Sequence, residues 1–129
     1  MKGKNLFNQT VPVVDQNKYT NSLTNSIIRH IEYHKGAAFR VNTTGIPVVV
    51  KGKLISWRPS QNAGAADIRA IIDGYSIDIE IKSDTDKLNQ NQIVFQKRVT
   101  DAGGQYWVVR HFEEYLNYYE YFRKRQQQH

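Results

Sequence analysis

Apolar residues recur along this chain in two rhythms. Leu23, Ile27, Ile28 and Ile31 follow one another at three- and four-residue spacing, the period of one face of a helix. The spacing predicts a first helix that opens at Thr20, a good N-cap, and stops at Gly36. Alternation then takes over: Ala37 to Asn42, Ile46 to Val50 and Leu54 to Trp57 read as strands, the last two joined by Lys51-Gly52-Lys53. Ile68 to Ile72 and Tyr75 to Ile81 flank Asp73-Gly74, and such a pair between alternating β-branched runs is the strongest short-range hairpin signal. The helical rhythm returns from about Gln90 to Ala102, with Val94, Phe95 and Val99 inward. A nearly all-apolar strand follows over Tyr106 to Arg110, as expected of a buried sheet member. Phe112, Tyr115, Leu116, Tyr119 and Phe122 then mark a last helix, whose aromatic stripe reads either as core or as a homodimer seam. The sum is α/β: a central mixed β-sheet flanked by helices, with its hairpin at one end. Residues 1–19 read as a polar arm, 20–125 as a single domain and 126–129 as a polar tail.

The hairpin carries candidate chemistry. A two-residue Asp73-Gly74 turn sets Ile72 against Tyr75, Ala70 against Ile77 and Ile68 against Ile79 on an apolar face, and Arg69 against Asp78 on the other. Continued outward, that register puts Asp67 opposite Glu80. Two carboxylates at about 5 Å between Cβ atoms repel, so something cationic belongs between them. Lys82 lies on the same face as Glu80, about 7 Å further along the strand. Hard cations such as Mg2+ take one or two carboxylates plus waters and phosphate. Asp67 and Glu80 supply those, with the backbone carbonyl of Ile81 within reach as a third ligand. A cation so held polarises a phosphodiester, and Lys82 is placed to orient water or to stabilise charge building on phosphorus. Taken singly, these residues are ordinary wet strand side chains, and E-x-K recurs by chance; the register is what sets them apart. His30 and His34 have a zinc-compatible spacing with no third ligand near in sequence.

Gly64-Ala65-Ala66-Asp67-Ile68, the hairpin, Glu80-Ile81-Lys82, Leu88-Asn89-Gln90-Asn91-Gln92 and Gly103-Gly104-Gln105-Tyr106-Trp107-Val108-Val109-Arg110 occur in an order that resembles the virus-type replication-repair nuclease (VRR-NUC) family of the PD-(D/E)XK superfamily. Phe39-Arg40-Val41-Asn42-Thr43-Thr44-Gly45 is similar to a segment of its small standalone phage-type members. The resemblance runs from about residue 23 to 116. It implies a restriction-endonuclease-like core and a nuclease dependent on Mg2+ or Mn2+. Asp67 and Glu80 would be the metal ligands, Lys82 the catalytic lysine, and Gln92 a support for the metal-water network or the scissile phosphate. Gln92 also reads as the third residue of a capping box opened by Asn89. Many relatives carry a glutamate early in the first helix; here Asn21, Ser22, Thr24 and Asn25 stand in that region, and Glu32 lies further along. The resemblance also implies a homodimer acting on branched or four-way DNA. The alternatives are a sequence-specific or general nuclease on the same scaffold, or a nucleic-acid-binding module whose active site has decayed.

Composition supports a polyanion binder. Among 129 residues, 18 Lys and Arg face 12 Asp and Glu, a net charge of +6, and the sequence pI is near 9.6, an electrostatic footprint of that kind. Arg40, Lys51, Lys53 and Arg58 gather around the strand turns, where they could grip phosphates while Phe39 and Trp57 help place the strand; lysines at a turn tip also simply keep an edge soluble. No apolar run approaches the ~20 residues that span a bilayer, so no membrane partner is expected. Cysteine is absent, which fits a reducing cytoplasm, and Met1 to Leu6 has no apolar stretch behind its charge to make a secretory signal.

Overall fold

The computed structural model describes the backbone of residues 2–4, 10–12, 16–41, 46–58 and 64–127, and within these the side chains of 18–41, 49–54 and 64–127. In chain order the elements are β1 (Lys2–Lys4), β2 (Thr10–Pro12), α1 (Gln16–Tyr33), β3 (Ala37–Arg40), β4 (Ile46–Val50), β5 (Lys53–Arg58), β6 (Ile68–Ile72), β7 (Tyr75–Ile81), α2 (Gln90–Asp101), β8 (Gln105–Val109) and α3 (Phe112–Gln127).

The turn between β6 and β7 has φ of 53° at Asp73 and 85° at Gly74, positive at both positions as a type I′ turn requires. It fixes the pairs Ile72 to Tyr75, Ala70 to Ile77, Arg69 to Asp78 and Ile68 to Ile79, the register expected from alternation. The main sheet has the order β3-β6-β7-β8, with β7 and β8 parallel and the other neighbours antiparallel. The hairpin therefore sits at the centre of the sheet rather than at one end. A parallel return needs a crossover; α2 supplies it and lays β8 on the far side of β7, while β3 covers β6. β4 and β5 pair only with each other, as a ribbon apart from this sheet, around Lys51 and Gly52, also with positive φ.

One face of the sheet builds the core. Ile68, Ala70, Ile72, Ile77, Ile79, Ile81, Trp107 and Val109 are buried against Leu23, Ile27 and Ile31 of α1 and Tyr115, Tyr119 and Phe122 of α3. Each fully buried isoleucine contributes about 1.5–3 kcal/mol relative to exposure. The aromatic stripe of α3 thus belongs to the core, of its two readings. The opposite face carries Arg69, Asp78, Glu80, Tyr106 and Val108, and α2 lies over it without burying any residue of its own. Val94, expected inward, is exposed, while Phe95 and Val99 are half-buried. A helix so thinly packed leaves room for polar groups beneath its N-terminus.

Several boundaries differ from the sequence reading: β3 is Ala37–Arg40, β5 is Lys53–Arg58 and β8 is Gln105–Val109, and the larger differences lie at α1 and the N-terminus. α1 begins a full turn before Thr20 because Tyr19 is anchored far away: its hydroxyl donates to the Arg110 carbonyl at 3.4 Å and lies 3.1 Å from His111 Nδ1. At the other end the left-handed residue is Lys35, with φ 70°, not Gly36. Lys35 N–H donates to Glu32 O and Gly36 N–H to Ile31 O, a Schellman motif with lysine at its usual glycine position. Gly36 is required for space, since a Cβ there would meet Ile31 Cγ2 at 2.7 Å. The supposed N-terminal arm also contains the β1–β2 pair and the start of α1. The loop at 59–63, residues 42–45 of the Phe39-to-Gly45 segment, and the side chains of Trp57 and Arg58 lie outside the described residues.

Candidate functional site

Asp67 sits one residue before β6, and its carbonyl still accepts from Val41 N–H at 2.8 Å, so the ladder with β3 extends through it. Its Oδ2 accepts from the Ile81 N–H at 2.7 Å. That bond reaches across to β7 and holds the carboxylate beside Glu80, within hydrogen-bonding reach of it. Glu80 is 3% exposed. Lys82 Nζ lies 3.8 Å from Glu80 Oε1, and Gln92 Nε2 donates to the same oxygen at 2.7 Å.

Gln92 has two jobs because its amide has two ends. Its Oε1 accepts from Asn89 N–H while Asn89 Oδ1 accepts from Gln92 N–H, both at 2.9 Å, a complete capping box at the start of α2. With the amide oxygen fixed by that cap, the NH2 end is left facing Glu80. The capping-box reading of Gln92 is thus realised, and the same side chain reaches Glu80. Gly64 couples the two segments: it has φ 87° and packs so closely on α2 that a Cβ would lie inside the Asn91 carbonyl. The glycine before the aspartate thus lets the approach to β6 rest on the cap of the glutamine's helix.

The electrostatics are those of two acids competing for one charge. Burial, and next the Asp67 charge, push Glu80 up to about 8, and Lys82 offsets only part of this. Asp67 is raised chiefly by burial, against the Ile81 N–H, the Glu80 carboxyl, Lys82 and Arg40, which all pull it down. The Glu80–Lys82 distance alone suggests an ion pair, but a single ammonium at 3.8 Å does not outweigh loss of water plus a like charge. Without a cation the pair is best satisfied by sharing a proton.

The donor set fits a hard divalent cation. Glu80 Oε2 is buried and has no hydrogen-bond partner, which is costly unless something occupies it. Among the described residues no group of three or more His, Cys, Asp or Glu is positioned to hold a metal, and a site of two carboxylates completed by water and phosphate needs no such group. Ile81 supplies its N–H to the site, holding Asp67.

Other expected residues are placed less centrally. Arg40 donates to Asn21 Oδ1 at 3.1 Å and Asn25 Oδ1 at 2.9 Å, and its charge reaches Asp67. The α1 segment where a glutamate was sought therefore holds an arginine beside the site instead. Glu32 is exposed. Lys51 and Lys53 are exposed at the ribbon turn. His30 is engaged with Tyr115 Oη at 2.7 Å and belongs to no metal cluster among the described residues. Arg69 pairs with Asp78 at 3.0 Å, as the register implied. Tyr106, read from sequence only as a buried strand residue, lies opposite Asp78 on the Glu80 face; strict alternation along β8 was the signal that could have placed it there.

No family model matches this sequence, and no curated protein matches it closely enough to count as a relative. Among solved structures, a chain described as a VRR_NUC domain is similar over 78% of this chain and 94% of its own length, with a TM-score of 0.58 and 17% identity. The chain shares the α/β fold of that VRR_NUC domain, a central mixed sheet flanked by helices.

Proposed function

We propose that this protein is a nuclease that hydrolyses phosphodiester bonds of DNA with the help of Mg2+ or Mn2+. The observation that carries the reading is the Asp67–Glu80 pair: a half-buried and a buried acid held side by side, with an unpartnered oxygen on Glu80 and a lysine at its edge. Asp67, Glu80 and the Ile81 carbonyl would hold the cation. When bound, it supplies Lewis-acid polarisation of the scissile phosphodiester and lowers the pKa of water.

The chain's own residues do the rest. Ile81 N–H and Gln92 Nε2 fix the orientation of the two carboxylates, the kind of outer support that keeps such ligands aligned. Lys82 stabilises the negative charge that grows on the phosphoryl oxygens in the transition state. Arg40, pre-oriented by Asn21 and Asn25, takes a neighbouring phosphate through its planar fork. Lys51 and Lys53, exposed at the ribbon turn, grip the backbone at further phosphates, a role the sequence reading also gives to Arg58. The resemblance to small standalone members of the VRR-NUC family is what supports the finer reading, branched or four-way DNA cut by a homodimer with paired sites.

The test is incubation of labelled duplex, flap and four-way substrates of matched sequence with and without divalent ions. Divalent-dependent cleavage, faster on the four-way substrate, is expected. Equal cleavage of linear duplex favours a general nuclease, and binding without cleavage in any metal favours a decayed module.

A further inference from the structure

Among the described residues only two buried side-chain atoms lack a hydrogen-bond partner, and they are Glu80 Oε2 and the Tyr106 hydroxyl. They lie on one face of one strand pair: Tyr106 is opposite Asp78 in the parallel β7–β8 ladder, and Glu80 is the next residue of β7 on that face. Tyr106 is 7% exposed. Its surroundings agree, since burial and then Glu80, ahead of Asp67 and Asp78, push the phenol above its usual range. Leaving a buried hydroxyl without a partner is unfavourable, and a native structure usually satisfies such a group with ordered water. Both unpartnered atoms belong to side chains on the same sheet face, one register step apart.

Resting on the nuclease reading above, we propose that Tyr106 is a positioning residue for the cation site: its hydroxyl donates to a water that also binds Glu80 Oε2, and so holds that oxygen toward the cation. The phenol contributes a donor that neither Lys82 nor Gln92 supplies, because both of those address Glu80 Oε1. Outer-shell groups of this kind typically change metal affinity about 10–100-fold when removed.

The experiment is calorimetric titration of the full chain with MnCl2, comparing wild type, Tyr106→Phe and Glu80→Gln, with melting curves in chelator for each. Tyr106→Phe is expected to melt in chelator at or above the wild-type temperature, because it deletes an unsatisfied buried group, yet to bind Mn2+ at least about 10-fold more weakly. A purely structural tyrosine would move the melting temperature and leave the affinity alone. Wild-type affinity in Tyr106→Phe, with binding abolished in Glu80→Gln, overturns the Tyr106 role and leaves the nuclease reading standing. No Mn2+ binding by the wild type overturns both.

Discussion

Glu80 stands between groups that favour opposite protonation states, and its behaviour sets the pH response of the whole protein. In chelator the folded protein keeps a proton on Glu80 up to about 8, whereas the unfolded chain releases it near the ordinary value of 4.5. The folded state therefore binds more protons over that window, and stability falls as pH rises through it. His30 acts in the opposite sense. Burial, with His34, lowers its pKa, so its contribution is lost as pH drops below about 6.5. Comparison with Glu80→Gln separates the two: its melting temperature in chelator should hold steady or rise from pH 5 to 8 while the wild type falls. Asp67→Asn should also stabilise the chelated protein at pH 8, since it removes the like charge and keeps an acceptor for Ile81 N–H. A wild-type melting temperature that climbs over the same range would contradict the shared-proton pair.

Local devices decide how the elements deliver these residues. Gly64→Ala should cost more than about 1 kcal/mol, because φ is positive there and the added methyl has no room against Asn91. Its melting temperature should fall by a few degrees, and a neutral effect would argue against this close approach. What was legible in sequence follows from range. The Asp73-Gly74 turn, the hairpin register and the Asn89–Gln92 cap depend on residues within a few positions of one another, and each stands where the pattern put it. The first turn of α1 depends on Tyr19 meeting Arg110 and His111, some 90 residues away, so no local signal marks it. Lys35 takes the left-handed position because Gly36 is needed one step later for space. Val94 looked like a core residue from its spacing, but only one side of α2 touches the sheet. The Asp67, Glu80, Lys82 and Gln92 grouping was legible because three of its members share one hairpin face and the fourth opens the adjacent helix. Tyr106 was missed because an aromatic in a nearly all-apolar strand announces burial first, and its face follows only once β8 is set in parallel register against β7.

Taken as a whole, the molecule devotes one sheet face to its core and places the Asp78, Glu80 and Tyr106 side chains on the other, and it carries a net charge of +6. If Arg40, Lys51, Lys53 and Arg58 each neutralise one phosphate, the plot of log K against log salt should have a slope of about −3 to −4 on duplex DNA. Lys53→Ala should reduce its magnitude by about 1, and a flat salt response would remove the phosphate grip. The central claim, that Asp67 and Glu80 form the cation site of a nuclease, is tested most directly by timed cleavage of a labelled four-way DNA by wild type, Glu80→Gln and Lys82→Ala in Mg2+ and in chelator. The wild type should cut only with the ion, and both variants should lose at least about 100-fold in kcat while keeping DNA affinity within a few fold. Cleavage by Glu80→Gln at the wild-type rate, or by the wild type in chelator, would contradict it.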